Sequence, residues 1–157
     1  MGVDHSTLLS WLADYDKDNT TIGVVASHSS LQILHGARME GFRTLGIAVG
    51  ENRRRFYKAF PGAEPDEWLM LEDYREMLDY AEWFREKNVI IVPHGSLVEY
   101  LGSENFRNLE VPTFGNRGIL RWESSRAKQR DWLVAGGCTM PKVLEDPHDI
   151  DGPVIVK

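Results

Sequence analysis

Short apolar runs alternate along the chain with segments of helical periodicity. Four runs are rich in β-branched and aliphatic residues, as is typical of buried strands: residues 21–26, 43–49, 68–71 and 89–93. Apolar residues recur at helical spacing around Leu8, Leu31 and Tyr74, outside these runs. Strands alternating with helices predict an α/β fold, a Rossmann-like open parallel sheet with helices on both faces.

The rest of the pattern predicts loops and two longer helices. Residues 50–67 predict a loop and residues 111–115 are a candidate fifth strand. Residues 73–87 predict one continuous helix, and residues 120–135 another, which the following glycines end. Trp122 and Trp132 are expected to pack inside the protein.

Composition narrows the classes of function. The 157 residues are 42% hydrophobic and 27% charged, which is ordinary for a soluble domain with a real core. The net charge of −6 argues against a nucleic-acid partner. No apolar run approaches the ~20 residues of a membrane helix, and no signal peptide is evident, so a cytoplasmic protein is expected. The single cysteine, Cys138, fits a reducing compartment and is expected to be a small buried hydrophobe.

Three polar motifs follow apolar runs. "SHSS" (27–30) follows the first strand, "HGS" (94–96) follows the fourth, and "FGNR" (114–117) follows the candidate fifth. In open α/β sheets, ligands bind beyond the carboxyl ends of the strands, so the three motifs are expected to converge there. Hydroxyls, a histidine and helix N-termini at such an edge favour a phosphate ligand.

Each motif also has a structural interpretation. Ser29 or Ser30 would cap the next helix, His28 would be a hydrogen-bonded structural histidine, and "HGS" would be a turn. Arginines 53–55 are more typical of a solvated loop than of a phosphate clamp. The two histidines lack cysteine or carboxylate neighbours at ligand spacing, so zinc is weakly supported. The Walker, dinucleotide-binding and nucleophile-elbow motifs are absent from the sequence.

Four blocks in order resemble one family. "SHSSLQILHGARMEGF", "VPHGSLVEYLG", "VPTFGNRGILRWESSR" and "DIDGPVIVK" are similar to the PurP family, across residues 20–157. PurP enzymes join formate to the amine of aminoimidazole carboxamide ribonucleotide (AICAR) with ATP. The product is the formamido ribonucleotide FAICAR, a late intermediate of purine (IMP) biosynthesis. The resemblance implies a C–N-forming ATP-grasp ligase that uses Mg²⁺ and begins with a Rossmann-like pre-ATP-grasp domain.

The resemblance also implies site residues. His28 and Ser96 match family positions that contact AICAR, and Lys157 matches the first ATP-binding lysine. Weaker candidates for AICAR contacts come from the same three motifs: Ser27, Ser29, His94, Gly95, Asn116 and Arg117. The sequence contains no complete catalytic set and no metal ligands are predicted, so ATP and Mg²⁺ are expected to bind tightly only in a complete enzyme.

The family continues well beyond the "VIVK" block, whereas this sequence ends there. Residues 1–135 are therefore predicted to form a substrate-nucleotide domain, and residues 136–157 a linker and the first strand of an absent ATP-grasp domain. Two hypotheses follow: the N-terminal part of a ligase acting on AICAR, formate and ATP, or a non-catalytic ribonucleotide-binding or assembly module. Self-association into a homo-oligomer is compatible with both.

Overall fold

A computed structural model describes residues 2–155 and contains one four-stranded parallel sheet in the order β3-β2-β1-β4. The strands are β1 (Thr21–Val25), β2 (Arg43–Val49), β3 (Glu67–Leu71) and β4 (Val89–Ile91). Central β1 pairs with both neighbours, with Gly23 opposite Leu45 of β2 and Ile91 of β4. The predicted open parallel α/β sheet is confirmed.

Eight α-helices connect or flank these strands in the described part of the chain. Their bounds are α1 (His5–Ala13), α2 (Ser30–Met39), α3 (Glu51–Tyr57), α4 (Ala81–Glu86), α5 (Gly95–Leu101), α6 (Ser103–Asn108), α7 (Leu120–Glu123) and α8 (Arg126–Ala135). None of the helices within residues 2–155 is long and apolar enough to cross a membrane.

The sheet is covered on both faces because side chains of its strands alternate between two cores. Leu34 of α2 and Tyr57 of α3 pack with Val24 and Ala48 on one face. The other core is larger and collects residues of α4, α5 and α6 with alternate strand residues: Val25, Leu45, Ile47, Phe84, Ile91, Leu97, Leu101 and Phe106. These helices therefore hold the strand ends, and the loops after them, in fixed positions.

Several predicted elements are wrong in detail. The predicted loop after β2 contains α3, which begins after Gly50, whose φ of 79° is a conformation that favours glycine. The helix is held by Tyr57, which is buried against Val24 and Ala48 of the sheet. The predicted 73–87 helix is divided into a 3-10 turn (Tyr74–Leu78), started by an Asp73 capping box, and α4. Ser125 caps α8 and so divides the predicted 120–135 helix. The candidate fifth strand is a single bridge between Thr113 and Ile91.

The region from residue 121 to 155 has no buried side chain. Trp122 and Trp132 are 46% and 50% exposed, and Cys138 is exposed, so the predictions that they are buried are wrong. The physical reason is that α7 and α8 pack beside the domain without an apolar layer over their outer surface. Lys157, the predicted ATP-binding lysine, lies outside the described residues.

Candidate functional site

The strand order creates a crevice between the carboxyl ends of β1 and β4. The chain builds outward from β1 through β2 to β3, then returns to place β4 on the other side of β1. The loops after β1 and β4 consequently leave the sheet in opposite directions, which opens the space where ligands of such folds bind. The "SHSS" and "HGS" motifs form these two loops, as predicted.

Two buried serines hold the loop after β1. The Ser30 hydroxyl donates to the Ser27 carbonyl oxygen at 2.7 Å and accepts from the Ser27 backbone N–H at 2.9 Å. The Tyr57 hydroxyl donates to the same carbonyl at 2.8 Å, and its oxygen also contacts the Ser30 hydroxyl. Burial raises the pKa of Tyr57, so this phenol remains protonated and able to donate. Ser27 and Ser30 thus set the loop shape rather than face solvent.

The remaining two residues of the loop are available to a ligand. His28 is exposed. Ser29 occupies the N-cap of the ten-residue α2, but its hydroxyl makes no capping hydrogen bond. The Ser29 N–H donates to the Ser27 hydroxyl at 3.2 Å and the Ser30 N–H to the Ser27 carbonyl at 3.4 Å. The start of α2 nevertheless carries partial positive charge, which favours an anion beside His28 and Ser29.

His94 connects the two loops directly. Its Nε2 lies 2.9 Å from the Val25 carbonyl oxygen and must donate, because a carbonyl can only accept. Nδ1 of the neutral ring is then an acceptor, and this buried atom has no hydrogen-bond partner among residues 2–155. Burial lowers the pKa of His94, and this outweighs the opposing effect of the hydrogen bond to the Val25 carbonyl.

Ser96 lies in the first turn of α5, on the β4 side of the crevice. Its side chain is 7% exposed, and within the described residues its hydroxyl makes no hydrogen bond. This hydroxyl is not among the fully buried polar atoms without a partner, so a ligand that enters the crevice has access to it. Gly95 beside it is exposed and has open space around its Cα. The structure therefore brings the His28 loop and the Ser96 loop together, and their contacts with AICAR remain a prediction.

In the third motif, "FGNR", the side chains of Arg117 and Asn116 hydrogen-bond to the protein itself. The Arg117 guanidinium donates from Nε to the Thr113 hydroxyl at 2.9 Å and from its two terminal nitrogens to the Leu109 and Val111 carbonyls. Burial lowers the pKa of Arg117 to about 10. Asn116 accepts from the Gly118 backbone N–H at 2.8 Å. The structure does not bring the Arg117 charge to the crevice, so it favours a positioning role for Arg117.

Two residues that the sequence analysis did not select lie at the same edge. Arg53 of α3 donates to the Tyr100 hydroxyl of α5 at 3.1 Å. The Tyr100 ring stacks on Tyr74, with ring centroids 4.8 Å apart, and both rings line a cleft of about 500 Å³. Topology could have pointed to Arg53, because α3 directly follows β2 and its first turn therefore lies at the carboxyl edge of the sheet.

Comparison with known proteins finds a family model and similar proteins. A family model described as "Protein of unknown function (DUF1246)" matches residues 22–144. The chain is 57% identical over 150 residues to a Methanosarcina barkeri protein named 5-formaminoimidazole-4-carboxamide-1-(beta)-D-ribofuranosyl 5'-monophosphate synthetase. A protein of the same name from Archaeoglobus fulgidus is 43% identical over 159 residues.

A solved structure is similar as well. The crystal structure of an IMP biosynthesis protein PurP from Thermococcus kodakaraensis matches with a TM-score of 0.68 and 36% identity, over 83% of this chain and 41% of that chain. The match to the Methanosarcina barkeri synthetase covers 96% of this chain and 42% of that protein. The match to the Archaeoglobus fulgidus synthetase covers 100% of this chain and 43% of that protein. The chain therefore spans less than half the length of the relatives it matches.

Proposed function

The chain belongs to the DUF1246 family, and we propose that it is the nucleotide-binding N-terminal part of an ATP- and formate-dependent ligase that formylates AICAR to FAICAR. One observation carries the proposal. The loops that contain His28 and Ser96 meet at the switch point of a parallel sheet, joined by the His94–Val25 hydrogen bond. Free donors concentrated at this position suit a ribonucleotide phosphate.

In this proposal the chain orients the ribonucleotide. His28 and the Ser29 hydroxyl, with the N-terminal amides of α2, bind the phosphate, while Ser96 contacts the nucleotide from the β4 side. Holding the amine of AICAR in place makes its reaction with an activated formyl group effectively intramolecular. The amine nitrogen attacks the carbon of formyl phosphate, the bond from that carbon to the phosphate oxygen breaks, and the amine loses a proton. Phosphate leaves and FAICAR is released.

Activation of formate by ATP belongs to other parts of a complete enzyme. Residues 2–155 contain no group of three or more His, Cys, Asp or Glu side chains that would hold a metal ion, so they do not fit a Mg²⁺ site. We therefore assign no step on this chain to Mg²⁺. We assign residues 1–135 to the nucleotide-binding domain and residues 136–157 to a linker and the first strand of an ATP-grasp domain, with Lys157 as its ATP contact. Cytoplasmic location and homo-oligomer formation are further parts of the proposal.

Ligand-dependent thermal stability tests the proposal. A ligand that binds only the folded state stabilises it by RT ln(1 + [L]/Kd), about 2.7 kcal/mol at a hundredfold excess over Kd. We expect millimolar AICAR to raise Tm and ATP to raise it less. His28→Ala and Ser96→Ala should lose the AICAR response.

His148→Ala and Ser124→Ala are matched controls, because both positions are exposed and lie outside the crevice. They should respond to AICAR like the parent. The proposal is wrong if ATP stabilises the parent more than AICAR does, or if His28→Ala keeps the full AICAR shift.

A further inference from the structure

We infer that Arg53 binds the phosphate group of the ribonucleotide and sets the preference of this site for phosphorylated over dephosphorylated ligands. The inference rests on the proposed function. It adds to the two predicted loops a third element, α3, whose first turn follows the carboxyl end of β2.

Contacts with α5 place Arg53 on the side of the crevice that carries Ser96. Nη2 of Arg53 donates to the Tyr100 hydroxyl at 3.1 Å, and its guanidinium carbon lies 5.8 Å from the centroid of the Tyr100 ring. Ser96 and Tyr100 are four residues apart on α5, so they share one helix face. The same face therefore presents the unpartnered Ser96 hydroxyl and the ring that holds Arg53.

Contacts of α3 place Arg53 near the loop after β1 as well. Arg53 and Tyr57 are one turn apart on α3 and share a face. The Tyr57 hydroxyl donates to the Ser27 carbonyl, one residue before His28. Arg53 thus shares a helix face with the side chain that holds the His28 loop, while its guanidinium contacts Tyr100 of α5.

The charge of Arg53 is not neutralised by the protein. Arg54, its neighbour, lies 3.8 Å from Glu51, whereas no carboxylate within residues 2–155 is at ion-pairing distance from Arg53. Of its five N–H donors, the contact with Tyr100 uses one. An arginine held by an aromatic ring with free donors is suited to bidentate recognition of a phosphate.

Calorimetric titration of the parent with AICAR and with its dephosphorylated nucleoside tests this inference. Arg53→Ala should weaken AICAR binding by roughly tenfold to a hundredfold, because charged hydrogen bonds to the phosphate are lost. Its affinity for the nucleoside should stay within about twofold of the parent. Arg53→Lys keeps a charge without the planar donor fork and should fall between the parent and Arg53→Ala.

Arg55→Ala is the matched control, because it removes the same side chain from an exposed position two residues along α3. It should bind both ligands like the parent. The inference is overturned if Arg53→Ala keeps the AICAR affinity of the parent, if it loses nucleoside binding equally, or if Arg55→Ala weakens AICAR as much. Failure of the parent itself to bind AICAR would instead overturn the proposed function.

Discussion

His94 shows how one side chain joins the two sides of the site. Its Nε2–H is donated to the Val25 carbonyl, which holds the β4 loop against the end of β1. Burial lowers the pKa of His94 and outweighs the opposing effect of its hydrogen bond to the Val25 carbonyl, so the folded protein holds this ring neutral more strongly than the unfolded chain does. A neutral ring also keeps its unprotonated Nδ1 facing the protein interior.

The lowered pKa predicts a pH dependence of stability. An unfolded histidine titrates near pH 6.5, so the stability gained from a neutral His94 is complete above that pH. It is lost as the pH falls toward the lower pKa of the folded state, because the unfolded chain then binds the extra proton. In urea titrations between about pH 8 and pH 5, the parent should lose more stability than His94→Gln.

His148→Gln, in the exposed segment after α8, should follow the parent across the same pH range. Parallel curves for the parent and His94→Gln would contradict the prediction.

The sequence predicted some of these residues and not others. His28 and Ser96 could be found because each follows an apolar strand, and topology alone brings parallel strand ends together. Arg53 was missed because a run of arginines has no apolar periodicity, so α3 was read as a loop. The internal role of Arg117 was also hidden, since spacing does not indicate which carbonyls an arginine will meet.

Among the elements, the segment beside β4 depends on one arginine. Backbone bonds attach it to the sheet at both sides of Ile91, from Ile91 N–H to the Pro112 carbonyl at 3.0 Å and from Phe114 N–H to the Ile91 carbonyl at 2.9 Å. The carbonyls of Leu109 and Val111 accept from Arg117, and the Leu109 carbonyl also accepts from the Val111 N–H at 2.9 Å. The side chain therefore replaces the neighbouring strand that these carbonyls lack.

Removing this arginine should destabilise the domain. Arg117→Met keeps much of the volume but leaves the Val111 carbonyl and the Thr113 hydroxyl without their donor, while the Leu109 carbonyl keeps only its bond from the Val111 N–H at 2.9 Å. Hydrogen bonds from charged groups contribute about 1.5–3 kcal/mol each and are not additive, so we expect a loss of roughly 3 kcal/mol in the free energy of unfolding. Arg117→Lys should also destabilise, because one ammonium group cannot reach three acceptors arranged as a fork.

Arg121→Met, four residues further on at an exposed position, should leave the urea midpoint unchanged. Equal midpoints for Arg117→Met and Arg121→Met would show that the buried contacts of Arg117 do not stabilise the segment.

Element prediction from the sequence was reliable for strands and weaker for helices. The four strands predicted from apolar runs form, because they are apolar on both faces, whereas the candidate fifth strand at 111–115 forms only a single bridge. The long helix predicted at 73–87 breaks between the 3-10 turn that Asp73 starts, which ends at Leu78, and α4, and the one predicted at 120–135 breaks where Ser125 caps α8. Hydrophobic periodicity continues across such caps, so it does not reveal the interruptions.

At the scale of the whole molecule, burial is concentrated in one part of the chain. Every buried residue within 2–155 lies between Tyr15 and Arg117. The region from residue 121 to 155 instead exposes a set of large apolar side chains: Trp122, Trp132, Leu133, Val134, Val143, Ile150, Val154 and Ile155. Folding free energy comes mainly from apolar burial, so this region should contribute little to the stability of the sheet.

This distribution predicts that the protein tolerates truncation. A chain ending at Ser125 loses α8 and everything after it. Contacts of the lost part are largely internal to it; for example, Arg130 Nη2 donates to the Pro141 carbonyl at 2.9 Å. Its free energy of unfolding in urea should match that of the parent within about 1 kcal/mol, so the two midpoints should be close. The m-value should also be unchanged, because it scales with the surface that unfolding exposes. Far-UV circular dichroism measures both quantities. A clearly lower midpoint together with a smaller m-value would show instead that the region from 126 to 155 folds as part of the same cooperative unit as the sheet.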